Sequence, residues 1–95
     1  MKKTLVALAV ISSSLTAGNV ANGKALYDAN CASCHNTGVG PSLSHVGNNK
    51  GHYIKESIVN PGAVITSGYA NIMPSFASLG SSAVSDLVAY LKTQR

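Results

Sequence analysis

Apolar positions recur at helical spacing in three segments of the chain, and the stretches between them are rich in Gly, Ser, Asn and Pro. This spacing predicts helices over residues 20–30, 51–59 and 83–93. The clearest apolar stripe lies in the third segment and consists of Val84, Leu87, Val88 and Leu91. Because no run of alternating or β-branched residues indicates a strand, the sequence predicts an all-α fold.

The predicted helices carry start and stop signals. Pro61 disfavours helical backbone in the residue before it, so the second helix is expected to stop at Asn60. Ser81 or Ser82 can cap the third helix, and Asp86 is expected near its positive end. Two cations are expected to complement its negative end, Lys92 and Arg95.

The first two helices have apolar faces of their own. In the first, Leu26 and Tyr27 share a face with Gly23 one turn earlier, and the helix-weakening glycine is expected to have a packing role. In the second, the face consists of Tyr53, Ile54 and Ile58. Two long irregular stretches remain, over residues 36–50 and 60–82, and long loops in a small domain usually have a function.

Residues 31–35 form a C-x-x-C-H run, which is typical of c-type haem attachment. Cys31 and Cys34 can add across the two haem vinyl groups, and His35 is then placed to ligate the iron. C-x-x-C also occurs in thioredoxin-like redox sites, in zinc sites and by chance. A thioredoxin-like site needs a βαβ pattern, which the sequence lacks. A zinc site needs four ligands, and adjacent Cys34 and His35 cannot easily face one metal.

Met73 is the candidate for the sixth iron ligand. It precedes Pro74 in the second long loop and is the only methionine besides the initiator. A thioether opposite a histidine is the ligand pair of electron-transfer cytochromes c, although a methionine can also simply fill an apolar gap. His45 and His52 are rival ligands that would give a bis-histidine site. An iron with an open position, suited to gas or peroxide chemistry, is a further alternative.

Pro41 is a candidate partner for the histidine. Its carbonyl can accept the free ring N–H of His35 and so fix the ring's tautomer. The alternative is an ordinary turn proline. A haem between the two long loops would give both loops a surface on which to pack.

The N-terminus predicts export. Lys2 and Lys3 form a positive region, residues 5–11 are apolar, and residues 12–18 are small apart from Leu15, which together indicate a secretory signal peptide over residues 1–17. The apolar run is too short to span a bilayer, so no stable membrane insertion is expected after cleavage; an uncleaved N-terminal anchor is the alternative. A c-type haem fits export to a bacterial periplasm.

Residues 18–95 are expected to form one small domain. A chain of this size has difficulty stabilising itself through an apolar core alone, so the haem is expected to act as a staple and the haem-free chain to be largely unfolded. Without Lys2 and Lys3 the formal net charge falls from +4 to +2. No basic run with interleaved aromatic residues supports nucleic-acid binding.

These motifs together resemble the small monohaem class I cytochromes c. The resemblance is carried by residues 22–35, 40–43, 69–76 and 86–92, in that order. It implies a fold of three to four helices wrapped around one covalently bound haem c, with the first and last helices crossing. It also implies that Gly23 permits close approach at this crossing, and that Tyr27 and Tyr90 pack near it.

The stretch over residues 53–74 also resembles haem domains fused to subunit II of bacterial terminal oxidases and small haem subunits of periplasmic dehydrogenases, such as sulfite dehydrogenases. The resemblance implies a single-electron carrier rather than an enzyme, with a dehydrogenase as donor and an oxidase or reductase as acceptor. A tightly bound electron-accepting subunit is the alternative to a freely diffusing monomer. A haem sensor or peroxidase with an open iron site is the third possibility.

Overall fold

The structure is a computed structural model that describes residues 18–95. In this part the chain forms the helices α1 (Val20–Asn30), α2 (Ala32–His35), α3 (Gly51–Val59) and α4 (Ser81–Leu91). Residues 18–95 contain no strand, so the all-α prediction is confirmed. The signal peptide predicted over residues 1–17 lies outside the described residues. No helix within residues 18–95 has the length and apolar character needed to cross a bilayer.

Helix α1 begins and ends where the sequence predicted. Its N-cap is Asn19, whose side chain accepts a hydrogen bond from the Asn22 amide at 2.9 Å. The helix buries Gly23 and Tyr27, which lie one turn apart. The packing role expected for Gly23 follows from this position, because the buried face of α1 meets α4.

Helices α1 and α4 cross with their backbones in direct contact. A Cβ atom on Gly23 would overlap the carbonyl oxygen of Asp86, so only glycine fits at this point. The rings of Tyr27 and Tyr90 pack beside it, with centroids 5.5 Å apart and planes tilted by 47°. The crossing, its glycine and its tyrosine pair confirm what the resemblance implied.

The start of α4 differs from the prediction. The helix begins at Ser81, two residues earlier than expected, and its N-cap is Gly80 with no side-chain cap. Gly80 has a φ of 94°, a conformation that glycine adopts without strain, and its carbonyl accepts the first helical hydrogen bond from Val84 at 3.0 Å. Ser81 and Ser82 are therefore inside the helix, and the expected serine cap is wrong.

The Asp86 side chain forms its hydrogen bonds with the start of α1 and not with its own helix, α4. Its carboxylate accepts hydrogen bonds from the Asn19 amide and from the Asn22 side chain, each at 2.7 Å. The crossing places this carboxylate at the N-terminus of α1, where negative charge is favourable. The expectation that Asp86 would complement the positive end of its own helix is wrong for this reason.

The end of α4 is tied to the first long loop. The helix ends at Leu91, two residues before the predicted bound. Lys92 donates to the carbonyl of Asn49 at 2.7 Å and not to the carbonyls at the end of α4. The amide of Gly47 donates to the carbonyl of Gln94 at 2.7 Å. These bonds hold the loop over residues 36–50 against the C-terminal residues.

The core is small and lies between α1, α3 and α4. The buried apolar residues of the described chain are Tyr27, Cys31, Ile54, Ile58, Val84, Leu87 and Leu91. The apolar stripes predicted for α3 and α4 supply five of these seven, whereas Val88 and Tyr53 are only partly buried. Helix α3 ends at Val59, so the expected stop at Asn60 before Pro61 is confirmed.

We expect Gly23→Ala to destabilise the protein strongly, because the new methyl group would overlap the Asp86 carbonyl and force α1 away from α4. The expected loss is roughly 3 kcal/mol, at the upper end of overpacking effects. Chemical denaturation of the haem-loaded protein measures this loss. Gly51→Ala is the matched control, because its Cβ would meet only a Val88 methyl group at 3.9 Å. Equal stability of the two variants would contradict the close crossing.

Candidate functional site

A cavity of about 520 Å³ lies between α2, α3 and the two long loops. Its volume is in the ordinary range of cofactor sites. Cys31, Cys34, His35 and Met73 all line it. The tertiary structure therefore brings the attachment segment and the candidate sixth ligand to the same space, although they come from distant parts of the chain.

The attachment segment is helical. The Cys31 amide donates to the Tyr27 carbonyl at 2.8 Å, and the His35 amide donates to the Cys31 carbonyl at 3.0 Å. Residues three and four positions apart in a helix share a face, so both sulfurs and the imidazole are presented together. Cys31 is buried and Cys34 is exposed. The sequence did not predict this helical turn, α2, which follows α1 almost without interruption.

The environment of Cys31 does not suit thiol–disulfide chemistry. Burial raises the pKa of the Cys31 thiol above its ordinary value, and the neighbouring Cys34 adds to the rise. Reactive redox cysteines have lowered pKa values, and thioredoxin-like sites lie in a βαβ unit that residues 18–95 do not form. The thioredoxin-like alternative therefore lacks its fold, and Cys31 lacks the lowered pKa of a reactive redox thiol.

The zinc alternative requires four ligands around one point. In the part of the chain that the structure describes, no three or more His, Cys, Asp and Glu side chains are grouped so as to hold a metal ion. The attachment segment thus supplies its sulfurs and imidazole to the cavity without assembling a protein-only metal site.

His35 is oriented by the residues that follow it. Its Nδ1 lies 2.8 Å from the carbonyl oxygen of Pro41, and because a carbonyl can only accept, Nδ1 carries the proton. Gly40 packs against the ring: a Cβ atom there would lie 3.1 Å from ring atoms Nδ1 and Cε1. The Gly40 amide in turn donates to the Cys34 carbonyl at 3.0 Å. This arrangement leaves Nε2 as the lone-pair donor of the ring.

A hydrogen bond connects the helix crossing to the attachment segment. The Tyr27 hydroxyl donates to the side-chain oxygen of Asn36 at 2.6 Å. Asn36 is the residue that follows His35 in the chain. Burial raises the pKa of Tyr27, with smaller contributions from Cys31 and Tyr90, so the hydroxyl remains a proton donor. The packing of α1 on α4 thereby helps to fix the position of His35. Neither this bond nor the contact of Gly40 with the ring had a local signal in the sequence.

The rival histidines are placed less favourably. His45 lines the edge of the cavity, but its Nδ1 lies 2.8 Å from the backbone oxygen of Arg95. His52 lines a separate surface groove between α3 and α4, together with Lys55 and Val88. Met73 lines the same cavity as His45, but Met73 is half-buried whereas His45 is exposed.

Exposed apolar side chains surround the mouth of the cavity. They are Val39, Val64, Ile65, Tyr69 and Ile72, and all of them also line it. Ile72 is the most exposed, at 64%. The sequence analysis did not single out these residues, because their clustering depends on how the two long loops fold. We call these five residues the apolar rim.

The residues fit a covalently attached haem. Two thiols can form thioether bonds, imidazole and thioether are both ligands of haem iron, and the remaining lining is mostly apolar. The family model described as cytochrome c oxidase, cbb3-type, subunit III matches residues 18–91. No curated protein and no solved structure matches the chain significantly. The chain therefore belongs to this family of cytochrome c domains, whose covalently bound c-type haem serves electron transfer.

Proposed function

We propose that the protein is an exported, periplasmic single-electron carrier of bacteria, with one haem c held by residues 18–95. Cys31 and Cys34 would form the thioether bonds with this haem, and His35 and Met73 would ligate its iron. The observation that carries this proposal is the lining of one cavity by all four side chains. When bound, the haem supplies an iron that cycles between the ferric and ferrous states.

The chain's own groups hold and tune this site. Pro41 and Gly40 fix the tautomer and plane of His35, which keeps its geometry the same in both redox states. The thioether of Met73 is a soft ligand that favours the reduced state. With a haem bound, the apolar lining would exclude water from the site, so little solvent would have to reorganise when the charge changes. These roles require no catalytic residue.

An electron-accepting subunit of a periplasmic oxidoreductase is the second candidate. The apolar rim supports it, because exposed apolar side chains in one patch are typical of protein contact surfaces. The electron chemistry is the same in both candidates, and they differ only in the lifetime of the complex. A haem sensor or peroxidase is less well supported, because Met73 lines the cavity and one nitrogen of His45 already has a partner.

We expect Met73→Ala to open the iron to ligands. The ferrous variant should bind carbon monoxide rapidly and have a lower reduction potential, because the soft sulfur ligand is lost. The unaltered protein should show no rapid spectral change with carbon monoxide. Absorption spectra and stopped-flow mixing measure both effects. Val20→Ala is the control, since it shortens an exposed apolar side chain that does not line the cavity and should leave the spectrum unchanged.

An unchanged spectrum in Met73→Ala would show that Met73 is not a ligand. His45→Ala would then identify the rival ligand by the same measurement. Rapid carbon monoxide binding by the unaltered protein would instead favour the sensor or peroxidase alternative.

We expect docking to redox partners through the apolar rim to depend weakly on salt. With a purified redox protein partner, the electron-transfer rate should change by less than about tenfold with ionic strength, whereas steering by charge changes rates by roughly 10- to 1000-fold. Ile72→Ser should slow the reaction about two- to tenfold through lost apolar contact. Val20→Ser is the control, because Val20 is also exposed but does not line the cavity. A steep fall in rate with salt would contradict apolar docking.

A further inference from the structure

We propose that Ser75 is a positioning residue for Met73, and this inference rests on the proposed ligation by Met73. The Ser75 hydroxyl fastens the loop that carries Met73 to the C-terminal end of α3. Its contribution is to hold the methionine sulfur in the cavity, so that the sixth position of the iron remains closed.

The end of α3 has carbonyl groups that need partners. The last four carbonyls of any helix lack donors from its own following turn. In α3 the Asn60 amide reaches the Glu56 carbonyl at 2.7 Å, but Pro61 comes next and has no N–H to offer. Pro61 thus leaves the Ser57 carbonyl without a helical donor. Because the helix stops at Val59, the carbonyls of Ile58 and Val59 also lack helical donors and face whichever segment packs against this end.

The loop after Met73 supplies those partners. The Ser75 hydroxyl donates to the Val59 carbonyl at 2.7 Å, and the Phe76 amide donates to the Ile58 carbonyl at 2.9 Å. The same hydroxyl oxygen accepts from the Ala77 amide at 3.2 Å. Two successive loop residues thus cap α3 from a distant part of the sequence.

The loop before Met73 has no comparable attachment in the described structure. Between residues 60 and 74 its hydrogen bonds are local turns: Ala63 to Asn60 at 3.0 Å, Tyr69 to Thr66 at 3.2 Å, and Ile72 to Ala70 at 3.0 Å. The bonds of Ser75 and Phe76 are therefore the nearest link from Met73 to a helix. If the Met73 sulfur moved out of the cavity, the hydrogen bonds of Ser75 and Phe76 would be the first contacts with a helix to be strained.

Removal of the hydroxyl should make the open-site state easier to reach. A hydrogen bond of this kind corresponds to an increase of about two- to tenfold in the population of the methionine-dissociated state. We expect ferrous Ser75→Ala to bind carbon monoxide faster by that factor than the unaltered protein. Ser75→Thr keeps the hydroxyl and should restore the slow rate.

The experiment uses the haem-loaded protein and three variants: Ser75→Ala, Ser75→Thr and the control Thr93→Val. Thr93 donates its hydroxyl to the Tyr90 carbonyl at 2.6 Å, but it lies outside the cavity lining. Each protein is compared in carbon monoxide binding rate, in thermal unfolding, and in hydrogen exchange of the Phe76 amide. Faster binding and faster Phe76 exchange in Ser75→Ala alone would support the inference.

Equal binding rates in Ser75→Ala and Thr93→Val would overturn the inference, because the hydroxyl would then contribute only general stability. Equal acceleration in Ser75→Ala and Ser75→Thr would also overturn it. Met73→Ala separates this failure from that of the proposed function. If Met73→Ala opens the iron and Ser75→Ala does not, only the role of Ser75 is wrong. If Met73→Ala leaves the iron closed, the proposed ligation and the role of Ser75 fail together.

Discussion

The contact between the backbones of α1 and α4 at Gly23 sets the position of the other elements. A side chain at this position would occupy the space of the Asp86 carbonyl oxygen, so the helices meet without any intervening atoms. The Asp86 carboxylate holds the start of α1, and the Tyr27–Tyr90 ring pair lies beside the crossing. Because α1 continues almost directly into α2, this contact also determines where the haem-attachment segment faces.

The size of the chain imposes the second constraint. Only seven apolar residues of residues 18–95 are buried, and much other apolar surface faces the cavity instead of a protein partner. Domains this small bury a limited share of their surface, so they commonly depend on a staple such as a metal group or a disulfide. A haem attached at two sulfurs and set in this cavity would cover the part of that surface that lies inside the apolar rim. The function and the stability of the domain therefore depend on the same group.

The two walls of the cavity are held by different means. On the attachment side, helical hydrogen bonds and the bond from His35 to the Pro41 carbonyl fix the ligand within a short segment. On the methionine side, Met73 lies in an irregular loop whose attachment to a helix begins at Ser75. The proposed electron carrier would need both His35 and Met73 to stay in place, because movement of either side chain would add a reorganisation barrier. Of the two residues, Met73 is held less firmly by secondary structure, because it lies in an irregular loop and not in a helix.

The sequence by itself determined the all-α class, the bounds of α1 and α3, and the attachment segment, because each depends on spacing over a few residues. Only the tertiary structure decided the role of Asp86, which bonds the Asn22 side chain across 64 positions, and the meeting of Met73 with the attachment segment in one cavity. It also decided that Gly80, and not a serine, is the N-cap of α4. Contacts between distant segments leave no local periodicity, because they depend on how helices pack and not on which helices form.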